Sequence, residues 1–327
     1  MFQTQQLLPK LNDIAPLVWL DEAESHFPSD MLAQVQNTHP AVNFTAVTDA
    51  PSPLTLSNLD SLNAYGNDGA NLYLTSDVDV TTGPPYLTGV IPSTSGKTNN
   101  ATSAAIIVTD HGDGAVDAFY MYFYAYNEGN TVLGQELGDH IGDWEHNMVR
   151  FANGTPQAVW YSQHSNGQAF LYSVVEKQSI RPISYSARGS HANYAIAGSH
   201  DHTIPDLNLP EGLLLDYTSQ GTLWDPLLNA YYYTFDADTS SFSAAAAPAD
   251  TLANGLMESN AAPLGAMQFK GKWGDDQYPT SDSRQKEFFG FYKFVGGPTG
   301  PYDKQLNRTK VCLDNGILCI VRSVLGP

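Results

Sequence analysis

Nine consecutive residues, Ala118 to Tyr126, alternate with a strict period of two. Tyr120, Tyr122, Tyr124 and Tyr126 fall on one side, and Phe119, Met121, Phe123 and Ala125 on the other. Strand side chains point alternately to opposite faces, so the pattern demands a β-strand; a helix would scatter the tyrosines around its circumference. The phenylalanine side reads as core. The tyrosine side is amphipathic and suits a ligand groove or a half-wet interior. The competing reading is an ordinary central strand whose hydroxyls find partners at its margins.

Other segments repeat the message. Pro182 to Ala187 reads as a strand, and Ala158–His164 and Phe170–Val175 read as a hairpin around Ser165-Asn166-Gly167-Gln168, because Asn-Gly is a strong turn signal. Asn71–Leu74 reads as a short strand among the turn-rich residues 46–117. Helical periodicity is scarce; Met31–Val35 and Leu252–Met257 are the best short-helix candidates. With 327 residues, 42% of them hydrophobic, one large core is attainable. The expectation is a mainly β, single-domain β-sandwich with long loops and a few short helices.

The chemistry concentrates in Gly138-Asp139-His140-Ile141-Gly142-Asp143-Trp144-Glu145-His146. On a strand beginning near Asp143, the carboxylates of Asp143 and Glu145 share a face, while Trp144, His146 and Met148 point across it. His140 would approach from a glycine-flanked loop. Two hard oxygen ligands and an imidazole suit one divalent cation, magnesium or calcium, whose charge relieves the repulsion between the carboxylates. Asp139 drops out as a primary ligand, and a fourth ligand is sought among Asn127, Glu128 and His164. The tyrosines, with Asn127 and Glu128, would line a groove for a small polar ligand, a glycan or a lipid head group.

A hydrolase of glycan or ester is the alternative. Same-face residues two apart have Cα atoms roughly 6.5–7 Å apart. That separation admits either the retaining (about 5–5.5 Å) or the inverting (about 6.5–9.5 Å) carboxyl geometry. Glu145 and Asp143 would then act as acid and base, with His164 or His191 as the proton shuttle. Gly189-Ser190-His191 lacks the Gly-x-Ser-x-Gly elbow, which weakens a serine-hydrolase reading. Asp110–Asp117 departs from calcium-loop spacing and reads as a turn, and His200-Asp201-His202 as a surface loop.

Charge narrows the partners. Thirty-four acidic against fifteen basic residues give a net charge of −19. Such a chain repels phosphate backbones, which argues against nucleic acid, and it disfavours purely electrostatic attachment to anionic lipid, although peripheral head-group contact stays open. No apolar run is long enough to span a bilayer, and no leader-like start is visible. The two cysteines, Cys312 and Cys319, are either a local disulfide or two thiols. Asn-x-Ser/Thr sequons occur at Asn43, Asn100, Asn153 and Asn307. Few lysines, four sequons and a possible disulfide point to an extracellular, glycosylated chain, with a vacuolar or cytoplasmic location as the alternative.

Ordered motifs give a resemblance. Ala15-Pro16-Leu17-Val18-Trp19-Leu20, Phe27-Pro28-Ser29-Asp30, Phe123-Tyr124-Ala125-Tyr126-Asn127 and Gly142-Asp143-Trp144-Glu145-His146 stand in that order. They are followed by Gly189-Ser190-His191-Ala192, Trp273-Gly274-Asp275 and Gly297-Pro298-Thr299-Gly300-Pro301. Together they resemble the vacuolar protein sorting-associated protein 62 family of fungi, plants and bacteria. The resemblance implies one domain over 1–327, with an N-terminal family segment at 1–45, site-bearing strands at 104–200 and a C-terminal segment at 265–327. The family name adds vacuolar trafficking as a second alternative function. Residues 122–145 alone are also similar to necrosis- and ethylene-inducing-peptide-like proteins, a β-sandwich family with a Gly-His-Arg-His-Asp-Trp-Glu motif. That resemblance implies a cation held by His140, Asp143 and Glu145. It departs from the pattern where Asn127 and Glu128 replace a strand-end aspartate and Ile141-Gly142 replaces Arg-His.

Overall fold

The aromatic alternation forms the long strand Ala115–Asn127, which pairs antiparallel with the equally long strand His140–Ala152. Below they are called the tyrosine strand and the motif strand. The structure is a computed structural model that describes residues 11–201, 214–246 and 262–326.

These two strands are the middle of an eight-stranded sheet. Its order is Ser241–Ala244, Ala230–Asp236, Ala104–Gly112, the tyrosine strand, the motif strand, Thr155–Gln163, Asn166–Leu171 and Val321–Arg322. Neighbours run antiparallel except Ala230–Asp236 beside Ala104–Gly112 and Val321–Arg322 beside Asn166–Leu171. A smaller sheet contains Lys177–Gln178, Arg181–Ser186, Leu17–Leu20 and Thr222–Trp224, with Asn193–Tyr194 added to Arg181–Ser186. Leu17–Leu20 runs parallel to Arg181–Ser186.

The two sheets form the expected sandwich. Val18, Leu20 and Trp224 of the small sheet pack on Tyr120, Tyr122, Tyr124, Val149 and Tyr161 of the large one. The other face of the large sheet is covered as well. Phe119, Met121, Phe123, Trp144 and Trp160 pack beneath Met31 and Val35 of the helix Met31–Gln36, Leu62 of the 3-10 helix Leu59–Ala64, the loop residue Leu72, and Trp273. Asp30 caps that helix by accepting from the Ala33 amide at 2.8 Å, which satisfies one of the free N–H groups of the first turn. With both faces buried, the sheet stabilises the fold by about 1.5–3 kcal/mol for each large apolar side chain taken from water.

This burial corrects the groove. Tyr120, Tyr122 and Tyr124 are fully buried, and their hydroxyls find interior partners: Leu11 O at 2.7 Å, Asn147 Oδ1 at 2.9 Å and Ser186 Oγ at 3.5 Å. The tyrosines are the second core face because the small sheet covers them. Tyr126 alone of the four stays partly exposed.

Boundaries differ in informative ways. The motif strand begins at His140, so this histidine lies on the strand rather than in a loop. The hairpin turns at His164-Ser165, with Gln163 paired to Asn166, instead of at Asn166-Gly167. Gly167 sits in the strand because a Cβ there would lie 2.2 Å from the Tyr161 carbonyl oxygen and 2.5 Å from the Trp160 ring. The strand predicted at Asn71–Leu74 runs over Tyr73–Ser76. The helix expected at Leu252–Met257, and His202, lie outside the described residues. Cys312 and Cys319 form a disulfide. No helix among the described residues is long and apolar enough to cross a membrane.

Candidate functional site

Register puts the two carboxylates where alternation predicts. Asp143 stands opposite Tyr124, Glu145 opposite Tyr122 and Asn147 opposite Tyr120. Directly opposed residues share a face, so Asp143 and Glu145 point between the two sheets. Trp144, His146 and Met148 point the other way, toward the helix-covered face. Gly142 has φ +67°, and a Cβ there would sit 2.3 Å from the Trp273 carbonyl oxygen, so the bend before Asp143 needs glycine.

His191 reaches Asp143 from the turn after Arg181–Ser186. Its Nδ1 lies 3.0 Å from Asp143 Oδ2 and its Nε2 lies 3.0 Å from the His26 carbonyl oxygen. The ring stacks on Tyr124, with centroids 3.7 Å apart and planes 6° apart. A carbonyl oxygen only accepts, as does an ionised carboxylate, so both ring nitrogens donate and His191 is an imidazolium. Burial alone would lower its pKa, but the charges of Glu24 and Asp143 outweigh it and hold the pKa above the usual histidine value. Glu24 Oε1 is 3.8 Å from His191 Nε2, and its carboxylate also accepts from the amides of Ser25, His26 and Gly189.

The two carboxyls are driven apart. Burial works to raise Asp143, yet the His191 hydrogen bond and the charges of His140, His191 and Lys304 hold it below the ordinary carboxylate range. Glu145 is only 6% exposed, and its Oε2 has no hydrogen-bond partner. Burial, followed by the charge of Asp143, pushes its pKa well above the carboxylate range. The two carboxyls are therefore pushed in opposite directions, Asp143 toward the ionised form and Glu145 toward the protonated one.

His140 is half-buried at the start of the motif strand, and its Nδ1 donates to the Gly142 carbonyl oxygen at 2.8 Å. Burial lowers its pKa, and with Nδ1 as the donor the deprotonated ring presents its lone pair on Nε2. A backbone carbonyl orienting one ring nitrogen in this way is the usual second-layer support for a histidine ligand. His140 Nε2 and Glu145 Oε2 thus offer the donor chemistry of a hard-cation site. However, among the described residues no three His, Cys, Asp or Glu side chains are arranged to hold a metal ion. Asp143 instead has His191 Nδ1 as its 3.0 Å partner.

The remaining expected residues go elsewhere. His164 pairs with Asp216 (Nε2 to Oδ2, 2.6 Å), and the charge of Asp143 also acts on it. Asp216 also accepts from Ser190 Oγ at 2.9 Å and Tyr194 OH at 2.7 Å, so the Ser190 hydroxyl is directed at a carboxylate rather than at a base. Asn127 donates to the Gly138 carbonyl oxygen, and Glu128 faces Ser25 and His26. Tyr126 and Lys293 both bond Asp139, which is a structural anchor. Glu24, His26 and Asp216 escaped sequence reasoning. Glu24 and His26 lie 165 residues from the Gly189 and His191 they meet, and Asp216 lies 22 to 52 residues from Tyr194, Ser190 and His164, so no local spacing signals these contacts.

Comparison with known proteins supplies kinship. Residues 123–206 match the family described as vacuolar protein sorting-associated protein 62. Putative vacuolar protein sorting-associated protein TDA6 of Saccharomyces cerevisiae is 37% identical over 325 residues, covering 91% of this chain and 66% of that protein. Vacuolar protein sorting-associated protein 62 of the same yeast is 37% identical over 255 residues, 73% of this chain and 52% of its own length. The chain thus spans 66% and 52% of these two relatives. Among solved structures, that of the non-toxic HaNLP3 protein aligns at 13% identity and a TM-score of 0.27, covering 68% of this chain and 73% of that one. The extent of the two yeast matches and the order of the shared motifs lead to one assignment: this chain belongs to the vacuolar protein sorting-associated protein 62 family.

Proposed function

We propose that this chain serves in vacuolar sorting as a recognition domain, and that its ligand site is the end of the motif strand carrying His140, Asp143 and Glu145, backed by His191. The sorting role follows the names of the two yeast relatives. One observation carries the site: Glu145 Oε2 is buried and unbonded beside a second carboxyl, within the segment matched by the family. A buried acceptor without a partner costs about 1–3 kcal/mol, and a ligand that satisfies it recovers that cost.

The ligand is a polar group, a glycan or lipid head group, recruited together with magnesium or calcium. His140 Nε2, Glu145 Oε2 and an oxygen of Asp143 would hold the cation, which supplies positive charge and open positions for ligand oxygens. Cation entry requires Glu145 to lose its proton and His191 to yield part of its hold on Asp143. The disulfide and the exposed asparagines of all four sequons support passage through an oxidising, glycosylating compartment, which suits a vacuolar lumen as well as secretion.

The test is complementation and thermal shift together. In yeast cells lacking both relatives, the wild-type chain should reduce missecretion of a vacuolar hydrolase, and Glu145→Gln should not. Magnesium or calcium should raise the melting midpoint over EDTA in wild type and not in Asp143→Ala. Equal rescue by both chains would sink the site; rescue by neither would sink the sorting role.

A hydrolase is the second reading, because one protonated and one ionised carboxyl side by side is an acid–base arrangement. Turnover of a glycan or ester that Glu145→Gln abolishes with the fold intact would favour it.

A further inference from the structure

Behind the motif strand, on the face away from Glu145, lies a buried positive charge that Asp117 and Asp314 influence but that no carboxylate hydrogen-bonds. Arg308 is 1% exposed, yet none of its nitrogens reaches a carboxylate among the described residues. Its guanidinium lies over the rings of Phe119 and Trp160, 4.9 and 5.5 Å from their centroids. Nη2 donates to His146 Nε2 at 3.4 Å, while Nε and Nη1 have no acceptor.

The nearby acid is already spent. Both oxygens of Asp117 accept from Arg150, at 2.7 and 2.6 Å, and one lies 2.8 Å from His111 Nε2. His146 brings no negative charge. Its Nε2 accepts from Arg308, so its proton is on Nδ1, a second buried donor without a partner. Burial and the charges of Arg308 and Lys304 keep that ring neutral. Burial also pulls the Arg308 pKa down to about 9, still above neutrality, so the guanidinium stays charged. The indole nitrogens of Trp144 and Trp160, on the same face, are unpartnered donors too.

An uncompensated buried charge is among the most expensive features a fold can carry, and chains retain one where it is paired. Aromatic faces over the guanidinium stabilise it only modestly. Every unpartnered atom of Arg308 and His146 is a donor, so what completes them must accept and be negative.

We propose that Arg308 holds a small inorganic anion of the halide class against the Phe119–Trp160 wall of the central sheet, with a neutral His146 accepting from its Nη2. Full burial limits its size, since a phosphate or sulfate would need several more donors for its oxygens. The site is distinct from the Asp143–Glu145 site. The two lie back to back across one strand, with Glu145 and His146 as adjacent residues facing opposite ways.

Crystals soaked in sodium bromide give the direct test. An anomalous peak within hydrogen-bonding distance of Arg308 Nε or Nη1 is expected; ordered water there, with no bromide signal, overturns the proposal. In solution, protein dialysed into sodium gluconate and titrated with chloride or bromide at constant ionic strength should show a saturable rise in melting midpoint. Arg308→Met should lose that rise, and an equal rise in the variant overturns the proposal. Should Arg308→Met fail to fold, Arg308→Lys, which keeps the charge and discards the Nε donor, should need at least tenfold more anion for half of the rise, and an unchanged half-point counts against the site.

Discussion

At the scale of single residues, Glu145 is the position where the fold works against itself. Burial and the neighbouring Asp143 raise its pKa, so the folded state binds that proton more tightly than the unfolded chain does. Stability from this group is fully present below the unfolded value, about 4.3, and is lost as pH rises through the folded value. In EDTA, Glu145→Gln should therefore melt higher than wild type at pH 8, and the difference should vanish below about pH 4. A pH-independent offset would mean that the glutamate is ionised in the fold. Period-two alternation made the facing of Asp143, Glu145, Trp144 and His146 legible before any coordinates, because it needs only the strand itself. It could not reveal that His191 supplies the positive charge expected of a cation.

At the scale of elements, the motif strand depends on one bend. Gly142 takes a left-handed φ, and its α-carbon faces the Trp273 carbonyl at a distance that excludes a side chain. Gly142→Ala should cost about 1–3 kcal/mol in left-handed strain, plus whatever displacement of the Trp273 backbone follows. Urea denaturation would read it as a lower midpoint, and cation or ligand binding should fall with it. No loss of stability would mean that the bend relaxes freely. The hairpin teaches a complementary lesson. Asn-Gly promised its turn, but the turn lies two residues earlier at His164-Ser165, and Gly167 is instead a strand position where the Trp160 ring leaves no room for a side chain. His164 sits in that turn and pairs with Asp216, while the charge of Asp143 still acts on it.

At the scale of the molecule, the C-terminal segment is tied to the core by Cys312, which packs beside Leu306 and Val311. A crosslink over so short a loop restricts the unfolded chain, and removing it as Cys312→Ala/Cys319→Ala should cost about 2 kcal/mol. Thermal denaturation of the double variant against fully oxidised wild type measures it; an unchanged midpoint would mean that the segment is held by packing alone. The β class, the tyrosine strand, the two faces of the motif strand and the family kinship all lay in the sequence, because alternation and ordered motifs are local properties of a chain. Tertiary structure decided the rest. It covered both faces of the central sheet and so turned a tyrosine groove into core. It brought Glu24, His26 and His191 to Asp143 from distant segments, and it set Arg308 behind His146. Those contacts arise when remote surfaces pack to exclude water, and no spacing along the chain encodes which surfaces will meet.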